Sequence, residues 1–253
     1  MAAEAAIAFV AGAVIGSLVT VIAHRAPRGE NFVTGRSRCP QCGHKIAAYD
    51  NVPIVSWLML RGRCRSCGQP ISARYPLTEA GLGALWAGTV LALGTDDTGE
   101  LVLGLVLCTV LVAITLTDLD LRIIPNTFVL AGAIAGVAIV LAFDLGELDQ
   151  RAIAVAAAGG AFFLIALVYP RGMGMGDAKL VAMMAIYLGR SIAPAVLVGL
   201  IAGSVVGIAI IAREGSGARK SAVPFGPFLA LGGVVGLWFG DDIVDWYLDT
   251  FTG

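Results

Sequence analysis

Residues 101–120 read LVLGLVLCTVLVAITLTDLD. From Leu101 to Thr117 no position carries a charge, and then Asp118 and Asp120 close the run. A bilayer core of about 30 Å is crossed by roughly 20 predominantly apolar residues in a helix. The stretch therefore predicts a spanning helix with a carboxylate at one end. A charge at the centre of such a helix costs roughly 2.5–3.5 kcal/mol, and less toward the interface. A carboxylate kept there is a functional candidate.

The rest of the chain repeats this pattern. Of its 253 residues, 58% are hydrophobic and only 14% charged, with a mean hydropathy of +0.86; ordinary soluble domains carry about 25% charged residues. Apolar segments at about 5–23, 77–94, 100–118, 126–143, 151–169, 177–189, 192–212 and 225–247 predict an all-α polytopic membrane protein embedded in the lipid bilayer, with about eight transmembrane helices. The sixth is short for a span. Glu4 precedes the first segment and Arg25 and Arg28 follow it, the wrong polarity for a cleaved signal peptide. Gly199, Gly203 and Gly207 repeat at every fourth position, a spacing that lets helices approach closely in lipid.

With eight spans the loops alternate between two sides. Fifteen of the seventeen Lys and Arg fall on one side, including nine in the 24–76 insert, with Arg122, Arg171, Lys179, Arg213, Arg219 and Lys220. The other side holds only Arg151 and Arg190, and is rich in Asp and Glu. The excess of basic residues predicts that the insert and the 213–224 loop are cytosolic and both termini outside. No basic surface points to nucleic acid.

A second carboxylate opens a later apolar segment, in Gly174-Met175-Gly176-Asp177-Ala178-Lys179. The topology brings Asp118 and Asp177 to the same, cytosolic, side. Two carboxylates so placed read as an acid/base pair that shares one proton and titrates as a unit. The ionised member would take a proton from water, and the protonated member would polarise a carbonyl. Gly174 and Gly176 would let an extended backbone pass close and would position Asp177. Lys179 would hold a loop carbonyl, favour an ionised carboxylate, or anchor the interface. With only His24 and His44 in the chain, neither in a nucleophile motif, no Ser-His-Asp or Cys-His arrangement is available.

Inside the insert, Cys39-Pro40-Gln41-Cys42-Gly43 and Cys64-Arg65-Ser66-Cys67-Gly68 form two C-x2-C knuckles with 21 residues between them. Four thiolates at this spacing suit one tetrahedral zinc ion, with no position left open for catalysis. Disulfides are disfavoured in the cytosol. Cys108, alone in a span, reads as a core residue. The stretch from Tyr49 to Leu58 mixes turn formers and large apolar residues and is expected to pack the zinc module against the membrane face. The sequence thus partitions into a first transmembrane helix (1–23), a four-cysteine cytosolic zinc module (24–76) and a transmembrane domain (77–253).

These motifs together resemble the type IV prepilin peptidases, bacterial aspartyl peptidases of the G-x-G-D kind. The resemblance runs from Cys39 to Glu79, through Trp57-Leu58, Arg61-Gly62-Arg63-Cys64 and Arg74-Tyr75-Pro76-Leu77-Thr78-Glu79. It continues in Asp118-Leu119-Asp120-Leu121-Arg122-Ile123-Ile124-Pro125-Asn126 and in Gly174–Lys179. It implies that Asp118 and Asp177 are catalytic, Asp118 rather than Asp120 because the family's carboxylate lies seven residues before the proline. It also implies prepilin or pseudopilin substrates, cut after a glycine at the cytosolic end of their hydrophobic helix. In many members the new N-terminus is then methylated with S-adenosylmethionine. No Gly-rich dinucleotide-type loop marks a site for that donor; the zinc module and Glu79 are the candidate contributors. Three other readings stand beside this one. One is a peptidase without methyl transfer. Another is an ion transporter with a zinc module and with Asp118 and Asp177 as ligands, which the clustering of both at one face disfavours. The third is an inactive scaffold for pilus assembly, against which the intact aspartates speak.

Overall fold

The computed structural model describes residues 1–31, 37–170, 172–214 and 224–251. Arg36, Arg171, Arg219 and Lys220, four of the fifteen basic residues assigned to the cytosolic side, lie outside them, as does most of the 213–224 loop. The described residues are helical apart from turns and two isolated bridges, Arg38 with Lys45 and Arg63 with Pro70. They fall into two compact units, Met1–Gly94 and Thr95–Gly253.

The first unit is a helix pair with an insert. α1 (Ala2–Arg25) packs along α3 (Arg74–Leu93), and among the described residues the insert between them contains one short α-helix, α2 (Val55–Met59), and two 3-10 turns, Ala26–Arg28 and Ala48–Asn51. Glycines set the close approach. A Cβ at Gly12 would lie 2.9 Å from the Leu82 carbonyl oxygen, and one at Gly83 would lie 2.8 Å from that of Phe9. In lipid, where no hydrophobic force drives helices together, such contacts carry the association. This packing groups α3 with α1, and the division between the two compact units falls after Gly94.

The second unit contains α4 (Thr98–Leu121), α5 (Asn126–Phe143), α6 (Leu148–Ala154), α7 (Gly160–Val168), α8 (Met175–Leu188), α9 (Ile192–Glu214) and α10 (Gly226–Phe251). A π-helical turn, Val155–Gly159, joins α6 to α7. At its centre is α8, whose Leu180, Val181, Met183, Met184, Ala185 and Tyr187 are at most 2% exposed. Its neighbours carry glycines where its side chains press. A Cβ at Gly132 would meet the Met183 sulfur at 2.6 Å, and one at Gly136 would meet the Tyr187 ring at 2.8 Å. The Tyr187 hydroxyl donates to the Gly132 carbonyl at 2.6 Å, so the buried polar tip is satisfied. The Gly199/Gly203 part of the expected packing repeat meets Phe228 and Phe225 of the α10 region, whereas Gly207 faces open space.

Seven helices among the described residues are long and apolar enough to cross a membrane. The difference from eight lies in Met175–Arg213, which counts as one run of 39 residues. Gly189, at φ 51°, breaks it into α8 and α9. Outward-facing Ile134, Leu141, Leu164, Leu167, Val205 and Ile208 are exposed, as lipid-facing side chains are. The chain is a multi-pass membrane protein.

Candidate active site

Asp118 lies in the last turn of α4, where the helix ends on Arg122 in the left-handed region (φ 54°), whose N–H returns to the Asp118 carbonyl. Its side chain is 5% exposed, whereas Asp120, two residues on, faces outward. A helix turns 100° per residue, so positions two apart point to different faces. One Asp118 oxygen, Oδ2, accepts the backbone N–H of Gly226 at 2.8 Å. Asp177 lies in the first turn of α8 and is half-buried. Its backbone N–H donates to the Gly174 carbonyl at 3.1 Å, and its carboxylate lies close enough to Asp118 for the two charges to interact. The fold therefore brings together the two carboxylates singled out in the sequence, from helices more than fifty residues apart.

The two glycines expected to clear space for an extended chain are occupied from within. A Cβ on Gly174 would sit 3.0 Å from the Asp177 Oδ2, and one on Gly176 would sit 3.1 Å from the Cβ of Ile124, in the loop that follows Asp118. Gly176 thus fits one carboxylate's loop against the other's helix. The Lys179 Nζ donates to the side-chain carbonyl oxygen of Asn126 at 3.0 Å, linking the starts of α8 and α5.

The four cysteines of the insert also converge. The Sγ atoms of Cys39, Cys42, Cys64 and Cys67 all lie within 4.8 Å of one another, a set that can hold a metal ion. No disulfide joins them. The Cys39 and Cys67 sulfurs are 3.9 Å apart; tetrahedral zinc with bonds of about 2.3 Å sets sulfurs roughly 3.8 Å apart. Each knuckle closes the same way. Gly43 and Gly68 return their N–H groups to the Cys39 and Cys64 carbonyls at 2.9 Å, both with φ near 70°. The N–H groups of Cys42 and Gln41 pull the Cys39 thiol down to about 6. The Gln69 N–H lowers Cys67, but desolvation and the neighbouring thiols outweigh it and push that thiol up to about 12. Four crowded thiols resist ionising together unless a cation joins them, so the donor set fits a divalent metal.

Comparison with known proteins bears directly on this arrangement. Residues 10–93 match the Bacterial Peptidase A24 N-terminal domain, and residues 105–212 match the type IV leader peptidase family. A protein of Burkholderia pseudomallei (strain K96243) named prepilin leader peptidase/N-methyltransferase is 34% identical over 94% of this chain and 86% of its own length. One of the same name from Aeromonas hydrophila is 39% identical over 87% of this chain and 77% of its own. The chain belongs to the type IV leader peptidase family. No solved structure matches it.

Within this leader peptidase chain, Glu79 is a buried carboxylate with a local task. Its Oε2 accepts the Ile54 N–H at 2.7 Å. Ile54 sits at φ 61°, ψ −54°, and Val55 N–H bonds back to the Pro53 carbonyl. A β-branched residue at the centre of such a γ-turn is strained, and Glu79 is one of the groups that hold it. Beside it, Ser56 bridges Val52 N–H and the Tyr49 carbonyl. Trp57 donates to the Ile71 carbonyl at 3.0 Å. Arg65 forks onto Asp50 and holds that carboxyl below its ordinary range through this hydrogen bond.

Sequence reasoning missed two participants. Gly226 carried no visible signal beyond a Gly-Pro pair at a helix start, since its partner is 108 positions away. Arg151 was counted only as a loop charge, yet it is 4% exposed. It pairs with Glu100, Asp144 and Glu147 and donates to the carbonyls of Ile186 and Tyr187 at the end of α8. Those three carboxylates are themselves close enough to hold a cation; the guanidinium occupies that role.

Proposed function

We propose that this protein is a membrane aspartyl endopeptidase that removes the leader of type IV prepilins or pseudopilins at the cytosolic face. It then N-methylates the new N-terminus, with S-adenosylmethionine as donor. The observation that carries the peptidase reading is the convergence of Asp118 and Asp177, with Asp118 tied to the Gly226 N–H. The methyl transfer rests on family membership and on the names of the relatives.

Asp118 and Asp177 are the catalytic residues and share one proton. The ionised carboxylate takes a proton from water as the water oxygen bonds to the scissile carbonyl carbon, and the protonated one donates to the carbonyl oxygen. Collapse of the tetrahedral species breaks the C–N bond, and a carboxyl proton passes to the leaving nitrogen. Gly174, Gly176 and Lys179 support the loop on which Asp177 stands. Because α8 has 14 residues, or roughly 21 Å, it is shorter than the hydrocarbon core. Its far end is tied by Arg151 to the first turn of α4, so the Asp177 end begins below the opposite surface. That depth suits a bond at the margin of a substrate's hydrophobic helix.

Cys39, Cys42, Cys64 and Cys67 hold one structural zinc, which would fasten the two knuckles and leave no coordination site for substrate. The location is the bacterial cytoplasmic membrane, with the insert cytosolic and both termini outside, as the distribution of Lys and Arg supports. Tyr49, Val52, Val55, Leu58 and Met59 are exposed on the insert, and they seat it on the membrane surface.

The test is cleavage of a prepilin-like substrate by the purified protein, with mass spectrometry of the product. Hydrolysis after the glycine and a mass gain of one methyl group are expected. Glycine costs a helix roughly 1 kcal/mol more than alanine, so the junction unwinds there; a substrate with that Gly changed to Leu should be cut far more slowly. Equal cutting of both substrates overturns the recognition mode, and an unmethylated product in the presence of donor leaves a peptidase alone. Elemental analysis should find one zinc per chain; four free thiols without metal would remove the zinc assignment.

A further inference from the structure

We infer that Gly226 is a positioning residue of the peptidase. Its backbone N–H fixes one oxygen of Asp118, and its lack of a side chain is what admits the carboxylate. This rests on the reading of Asp118 and Asp177 as the acting pair.

The contact is short and buried: Gly226 N–H to Asp118 Oδ2, 2.8 Å. A Cβ built on Gly226 would lie 2.7 Å from that oxygen, 3.2 Å from Cγ and 3.3 Å from Cβ of Asp118. Any larger residue must push the carboxylate away. The donors of this helix start are accounted for. Phe228 and Leu229 both return their N–H groups to the Phe225 carbonyl, and Pro227 has none. Gly226 therefore supplies the first-turn N–H directed at Asp118.

The electrostatics run the same way. Asp118 stands in the last turn of its own helix, where the unpaired carbonyls make the negative end of the dipole. The first turn of α10 presents the positive end. The N–H holds Oδ2 and stops the carboxylate rotating, so Oδ1 is the oxygen left for water and for the shared proton. Asp177 is seated differently: its own N–H donates to the Gly174 carbonyl at 3.1 Å.

The test uses the full-length protein in proteoliposomes, with residue 226 replaced by glycolic acid through nonsense suppression. The resulting ester lacks the N–H and adds no atom. A hydrogen bond to a charged group contributes about 1.5–3 kcal/mol, so kcat should fall roughly ten- to hundred-fold. KM should stay within about twofold, because the ester leaves the substrate contacts in place, and the near-ultraviolet circular dichroism should be unchanged. G226A should lose more, since it adds the clash. An ester variant with wild-type kcat overturns the proposal, as does a loss of kcat seen only with a changed dichroism spectrum. Asp118→Asn run in parallel separates the two claims. If Asp118→Asn is inactive and the ester is not impaired, the Gly226 proposal alone fails. If Asp118→Asn cuts normally, the reading of the pair fails.

Discussion

The two ends of α4 treat carboxylates in opposite ways. At its start, Glu100 joins Asp144 and Glu147 around Arg151, a buried guanidinium that also caps the end of α8. At its finish, about 27 Å away at 1.5 Å per residue, Asp118 meets Asp177, and among the described residues neither forms an ion pair with a basic side chain. The Gly226 N–H holds Asp118 instead. A carboxylate locked to an arginine serves structure. One held by an amide keeps its orientation and remains able to gain and lose a proton. The bundle is thus pinned at one end, and at the other it holds the two carboxylates proposed as the acting pair.

The largest effect that could break this contrast is at the aspartates. Asp118→Asn and Asp177→Asn should each lower cleavage by about a thousandfold or more, since an amide keeps the shape but cannot take a proton from water. Both variants should insert and purify as the parent does. Asp120→Asn, on the outward face, should keep substantial activity. Full activity in Asp118→Asn with loss in Asp120→Asn would show that depth in the helix is the wrong criterion.

That criterion was legible in the sequence because hydropathy and period were enough. An apolar run ending on Asp118 and another beginning near Asp177 mark the two carboxylates as helix-end residues, and the cysteine spacing marks which four side chains meet. Long-range backbone contacts were not legible. The Gly226 amide has no side-chain identity to recognise, and Arg151 reads as a loop cation unless its burial among three acids is seen. The same limit hid the pairing of α1 with α3. It depends on where Gly12 and Gly83 face, and a pair of membrane-sized helices separated by an insert does not announce that they are partners.

The next effect should be on stability rather than chemistry. Arg151→Met removes the counterion of three carboxylates and the donor to two α8 carbonyls. Breaking a buried ion pair costs about 3–5 kcal/mol. Glu100 and Glu147 are 39% and 51% exposed, and solvent there reduces the penalty to about 2–3 kcal/mol. The apparent melting temperature should drop by several degrees, while protein that remains folded cuts at a rate within a few-fold of the parent. If Arg151→Met loses cleavage with its melting temperature intact, the Arg151 end takes part in the chemistry, and the two ends do not divide the work as argued.

The smallest effect tests how the active end is aligned. Lys179 and Asn126 join the helix that carries Asp177 to the helix that follows the Asp118 loop, through one hydrogen bond of 3.0 Å. Lys179 is exposed, so water competes for both groups, and the bond is worth about 0.5–1.5 kcal/mol. Lys179→Met and Asn126→Ala should therefore each reduce kcat roughly three- to tenfold if the bond sets the alignment of the two aspartates. The double variant decides between alignment and independent roles. When two residues act through one shared contact, removing the second partner costs little once the first is gone. The double variant should match the weaker single one. A product of the two losses would mean that Lys179 acts elsewhere, as an anchor at the lipid interface, and that Gly176 against Ile124 is the contact that aligns the pair.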